Sequence, residues 1–266
     1  MERVWRVERQ VRGYGLAYLS MPPRGLAACV VAEYVNAYTL VREGGKAAEV
    51  RRLWGGMARS AGLLVMLFNE AECPHRASSW LAAADEAAEA AGDPELACWV
   101  RALAVRTACE RGRYTEALIM AGKAIQIAPD TVGAVLAQAT QALAWAELGR
   151  SSQALASLKY SDQAYARLAA ADTVASMLGY PRGLRHHHRG QVFAVLGMAP
   201  AGRLALQAAL RCYPAGALRA RTEVALDLVR CDGHRALPQA NEALERLPAA
   251  HRTERLARLA QWLEEQ

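Results

Sequence analysis

Residues Glu110–Pro129 read ERGRYTEALIMAGKAIQIAP. Gly112 stands where one apolar stripe stops, Tyr114 opens another, Ala117 and Ala124 are small, and Pro129 closes the stretch. Glycine just past a helix and proline soon after the next are the expected punctuation of helix ends. The stretch therefore predicts a helix tail, a tight turn and a second helix. The same order returns along the chain. Ala137–Leu158 reads AQATQALAWAELGRSSQALASL and sets Ala142, Trp145, Gly149 and Ala154 in matching places. The segment from Gly183 supplies Gly190, Phe193, Gly197, Ala209 and Pro214, and the one from Ala217 supplies Ala236, Ala243 and Pro248. An earlier segment from Ala58 supplies Phe68, Ala77 and Ala84. The aligned small residues 77, 117, 154, 202 (a glycine) and 236 lie 40, 37, 48 and 34 apart. Two antiparallel helices approach closely only where small residues meet, with an aromatic filling the gap beside them, so the pattern predicts a row of helix hairpins.

Composition agrees. The 266 residues include 57 Ala and only 3 Ile, and no stretch alternates with period two, so the fold class is all-α. Val4, Val7, Val11, Tyr14 and Tyr18 form one stripe that Pro22-Pro23 ends. Two further helices follow, about 26–41 and 47–68, separated by Gly44-Gly45. Residues 1–57 are thus expected to cap the row and 58–248 to hold about five units, with an insertion near 162–181. Residues 249–266 should form a closing helix. Six scattered Cys make no disulfide framework. The longest apolar run, Leu63–Phe68, is too short for a membrane span, and the first residues lack a signal-peptide core, so the expectation is a cytoplasmic protein away from membranes. Net charge is +5 over 1–60, −3 over 61–129, −1 over 130–180 and +5 over 181–266, which sums to the formal +6. Such ends could attract an anionic partner or simply solvate helix faces.

The hairpin pattern resembles the tetratricopeptide repeat. The matches are its small eighth residue (Ala142, Gly190), its aromatic eleventh (Phe68, Trp145, Phe193), its fifteenth glycine (Gly112, Gly149, Gly197) and its closing proline. No unit has a tryptophan at the fourth position, and three spacings exceed 34. The resemblance implies a right-handed superhelical array of antiparallel helix pairs, a tetratricopeptide-like α-solenoid. Longer strings, among them LWGGMARSAGLLVMLFNEAE, LAWAELGR and RGQVFAVLG, resemble the C-terminal sensory half of XRE-type helix-turn-helix transcription regulators of high-GC bacteria. The DNA-binding domain of those regulators has no counterpart before Pro22, so contact with DNA is expected only through a partner.

In tetratricopeptide arrays the inner helix faces bind extended peptides. Carried over by position, the resemblance implies ligand contacts from Arg59, Asn69, Trp99, Arg106, His187, Gln191 and Arg221, since arginine and amide groups bond carboxylates and backbone while tryptophan gives a rigid apolar contact. Arg182, Arg185 and Arg189 share one helix face after Pro181 and could hold an anion, or could be ordinary solvated residues. The adjacent His186, His187 and His188 project about 100° apart, so they cannot share one metal ion. Cys73/His75 and Cys231/His234 each offer two ligands where zinc needs four, which favours structural roles and no metal. Cys29, Cys98, Cys109 and Cys212 read as small core residues. Asp85, Glu86, Glu89, Glu264 and Glu265 read as charged helix faces. No phosphate loop, zinc-protease or serine-hydrolase motif is present, so neither an enzyme nor a cofactor is expected. The leading expectation is a regulatory protein that takes a peptide or protein in a concave groove. Alternatives are an oligomerisation scaffold, including a homodimer through the terminal helices, and a small-molecule binder or enzyme using His186–His188.

Overall fold

The computed structural model describes residues 2–264. Among them are thirteen α-helices, three short 3-10 turns and no strand. The helices are α1 (Glu2–Ala17), α2 (Pro23–Glu43), α3 (Ala47–Glu70), α4 (Pro74–Ala91), α5 (Pro94–Glu110), α6 (Tyr114–Ile127), α7 (Val132–Glu147), α8 (Ser151–Tyr165), α9 (Arg182–Val195), α10 (Ala199–Cys212), α11 (Leu218–Asp232), α12 (Leu237–Glu245) and α13 (Glu254–Glu264). Consecutive helices pair as α3–α4, α5–α6, α7–α8, α9–α10 and α11–α12, while α3, α5, α7, α9 and α11 also touch one another in sequence. The irregular stretch between α8 and α9, with its 3-10 turn Ala170–Thr173, is the insertion. α3 runs unbroken through position 57, so it serves both the N-terminal elements and the first pair.

One turn is built four times. The amide of Arg113 bonds the carbonyl of Ala108 (2.9 Å), Arg150 that of Trp145 (2.8 Å), Met198 that of Phe193 (2.9 Å) and Cys73 that of Phe68 (2.9 Å). Each bond spans a residue with positive φ, as the Schellman helix end requires. Three of these residues are Gly112, Gly149 and Gly197, whereas the first pair uses Glu72 at φ +49°. Glycine takes this conformation freely, but a side chain there costs roughly 1–2 kcal/mol.

The small residues lie where hairpin packing requires them. Ala77, Ala117, Ala142 and Ala154 are wholly buried. A Cβ on Gly190 would lie 2.5 Å from Leu206, and one on Gly133 would lie 2.5 Å from the backbone nitrogen of Trp99. Glycine thus lets α7 touch the α5 backbone. Cys98 and Cys109 are buried as expected and Cys212 is half-buried, but Cys29 is exposed on α2. It sits beside the buried stripe of Leu26 and Val30, not on it.

The row curls until its ends meet. The Met177 amide of the insertion bonds the Gly15 carbonyl at 3.0 Å. Arg219 of α11 donates to the carbonyls of Tyr18 (2.6 Å) and Met21 (2.7 Å) beyond α1. α13 crosses back to touch α3 and α11.

Candidate functional site

The inner helices surround a cavity of about 530 Å³, into which α13 also reaches. Most of its lining comes from α3, α5, α7, α9, α11 and α13, joined by connecting residues such as Tyr18, Glu72, Met177 and Tyr213; the outer helices contribute only Pro74 and Tyr114, their first residues. Six arginines and six carboxylates line it, so its fixed charge balances. The polar residues follow from helix spacing. Arg219, Glu223, Asp227 and Arg230 recur every three or four residues and form one face of α11. Arg106 and Glu110 do the same on α5, and His187 and Gln191 on α9.

Three groups of bonded polar side chains line the space. In the first, the Tyr18 hydroxyl donates to Glu70, whose other oxygen faces Arg219 at 3.2 Å. The Arg219 guanidinium lies 5.3 Å from the Tyr18 ring centre. Burial raises the Glu70 carboxyl above its ordinary pKa despite the pull of Arg219. Burial and the Glu70 charge push the Tyr18 phenol well up.

In the second group, Arg106 donates to Glu110 at 2.8 Å, Arg255 of α13 bonds the same carboxylate, and Arg255 lies 3.6 Å from Glu223. Burial alone would raise the Glu110 pKa, but the two arginines together hold it at about 2.

In the third, His187 Nε2 and Gln191 Nε2 both meet Asp227 Oδ2, at 2.8 and 2.9 Å. Burial would raise the Asp227 carboxyl, yet His187 holds it below its ordinary value. His188 turns elsewhere: its Nδ1 lies 2.7 Å from the buried Tyr180 hydroxyl, which anchors the insertion. Burial, then the charge of Arg106, keep the His188 ring well below its usual pKa and hence neutral.

Of the expected ligand contacts, Asn69, Arg106, His187 and Gln191 come together in this cavity. Three do not. Trp99 is buried over Gly62 of α3, so it packs helices. Arg221 donates to the Leu210 carbonyl at 2.6 Å and the Tyr213 carbonyl at 3.3 Å, closing the end of α10. Arg59 bonds the Gly55 carbonyl in its own helix and lies 3.7 Å from Asp93. The arginine trio is divided too. Arg185 bonds Asp162 at 2.7 Å and stacks on Tyr165, Arg189 bonds the same Asp162, and Arg182 is exposed. Two of the three are therefore already matched to an internal anion. His186, half-buried among these arginines, has its pKa lowered by burial and then by Arg185.

Asp85 and Glu89 face Arg101 at 3.6 and 3.8 Å, as a charged helix face does. The Glu264 side chain and Glu265 lie outside the described residues. Among the described residues no helix is long and apolar enough to cross a membrane.

Reading by repeat position missed Tyr18, Glu70, Glu110, Arg219, Glu223, Asp227 and Arg255. The signal was present as the charged stripe at 219, 223, 227 and 230. The charge asymmetry is also resolved internally: Arg219, Arg255 and Arg258 from the basic last third pair with Glu70, Glu110 and Glu72 from the acidic segment.

No family model and no curated protein matches the sequence. Among solved structures, the fold is similar to the crystal structure of BtubC (BKLC) from P. vanneervenii. The TM-score is 0.53 at 13% sequence identity, covering 98% of this chain and 93% of that one. At that identity the likeness concerns the fold alone.

Proposed function

We propose that the chain is a regulatory protein-binding scaffold, a right-handed tetratricopeptide-like α-solenoid that takes a peptide segment along its inner face. The observation that carries this reading is the convergence of arginine, carboxylate, amide and imidazole groups from every inner helix on one cavity. Arginine–carboxylate pairs and side-chain amides recognise charged side chains and peptide backbone. The resemblance to sensory halves of XRE-type regulators supports a place in transcriptional control through a partner chain. Binding would shift the population between two curvatures of the array.

Calorimetry of the purified chain against fractionated cell-extract peptides tests this. Asn69→Ala and Gln191→Ala should each weaken binding about tenfold, by roughly 1.4 kcal/mol. Leu204→Ser, on the exposed face of α10, should leave it unchanged. An absence of binding, or binding indifferent to both cavity changes, refutes the proposal.

The cavity volume favours one second reading, since about 530 Å³ lies within the range of small-molecule pockets. In that case metabolite-sized fractions, not peptides, would give the heats that Gln191→Ala removes.

A further inference from the structure

The inner groove already holds a helix. α13 buries Leu256, rests Leu259 and Trp262 against the core, and turns two arginines onto carboxylates of other elements. Arg255 meets Glu110 of α5 and Glu223 of α11, while Arg258 meets Glu72 beyond α3 at 2.8 Å. Trp262 lies under Arg230, 5.2 Å from the guanidinium carbon to the ring centre. Three acidic groups on three separate elements thus converge on arginines one helical turn apart.

Two further observations point the same way. Glu72 occupies the left-handed turn position that the other three turns give to glycine. A side chain kept in such a conformation suggests a use for it, and the use on view is to receive Arg258. A second cavity, about 560 Å³, lies along the end of α13, walled by Trp262, Val195, Val229 and Leu237. The groove therefore leaves room beside Trp262 of the helix that occupies it.

We infer that the groove is built for an amphipathic helix of a partner protein, carrying two arginines three residues apart and a large apolar residue one turn later. α13 is the internal stand-in that this helix displaces. The inference rests on the protein-binding reading above and names the ligand chemistry that reading leaves open. A partner helix that keeps the two arginines and also fills the second cavity with apolar side chains gains over α13.

The test uses the whole chain and a labelled synthetic peptide of residues 253–264, TERLARLAQWLE, followed by fluorescence anisotropy. Glu72→Gly removes the same ion pair from α13 and from the probe and relieves the turn, so it should leave probe affinity within a factor of two while melting no lower than the unaltered chain. Arg255→Gln/Arg258→Gln in the chain should tighten it at least tenfold. A probe with both arginines changed to glutamate should not bind. Hydrogen exchange in the unaltered chain should find α13 amides opening before those of α5.

Probe affinity within a factor of two between the unaltered and Arg255→Gln/Arg258→Gln chains, or equal binding of the reversed probe, overturns the inference. So does a stable dimer of the unaltered chain that exchanges α13 between copies. Peptides that lack arginine, bind through Asn69 and Gln191 and leave α13 exchange unchanged would overturn it while sparing the general proposal. An absence of all peptide binding removes both.

Discussion

Arg219→Met offers the sharpest test of how the structure is held closed. The guanidinium is 5% exposed, bonds two backbone carbonyls beyond α1, and neutralises Glu70. Removing one partner of a buried ion pair costs about 3–5 kcal/mol, because the other charge stays buried. The two abandoned carbonyls add to this wherever water cannot reach them. Protonation of Glu70 limits the total. Its pKa already lies above the ordinary carboxylate value and must rise further without Arg219.

The sign follows from linkage. A carboxyl with a raised folded pKa opposes folding increasingly as pH climbs from its unfolded value to its folded value, and this opposition disappears in acid. The deficit relative to the unaltered chain should therefore be about 4 kcal/mol at pH 8 and smaller at pH 5. Adding Glu70→Gln should recover that difference and remove the pH dependence. Urea unfolding followed by circular dichroism at both pH values measures all of this. A deficit below about 1 kcal/mol at pH 8, or one equal at both pH values, refutes the claim that this pair is buried and indispensable to closure.

Three further outcomes are expected. Gly133→Ala should destabilise by about 2 kcal/mol or more, since its methyl meets the Trp99 backbone, whereas Gly122→Ala, with open space around it, should stabilise by about 0.5–1 kcal/mol; thermal melts of both decide whether small residues set the helix approach. Glu110, held near a pKa of 2, contributes stability that is complete above the ordinary carboxylate pKa and lost as pH falls toward 2. Glu110→Gln should therefore lose a pH-dependent share on the order of 3 kcal/mol at pH 7 and approach the unaltered chain near pH 2, as urea midpoints across that range would record. A thiol reagent should modify Cys29 first in the native chain and leave Cys109 untouched, because Cys29 is exposed while burial pushes the Cys109 thiol up to about 12; rapid labelling of Cys109 would contradict the packing of α5.

The fold was legible because its rules are local. Gly112, Gly149 and Gly197 mark turns, Pro74, Pro94 and Pro200 open helices, and the alanines state where helices cross. All of these act within a few residues of themselves. The first turn is marked by Cys73-Pro74 without a glycine, because Glu72 stands in the glycine position and meets Arg258 far along the chain. The site was only half legible for the same reason. Asn69, Arg106, His187 and Gln191 fall at positions of the repeat that face inward. Arg221 faces inward by the same count, yet the carbonyls at the end of α10 lie nearer and hold it. Arg255 belongs to a helix read as a mere cap, and its partner Glu110 looked like a helix end. Only the curl of the whole row brings the two together.

That curl changes how the molecule should come apart. In a straight stack each hairpin leans on its neighbours alone, and melting can start at either extremity and creep inward. Arg219 ties together residues 198 and 201 positions apart, so α11 and the segment after α1 cannot part without breaking it. Loss of any hairpin between them strains the tie, and the body from α1 to α11 should unfold in one cooperative step once α13 has opened. It should also fold more slowly than an open row of equal length, because the loop that the tie closes takes in about three-quarters of the chain.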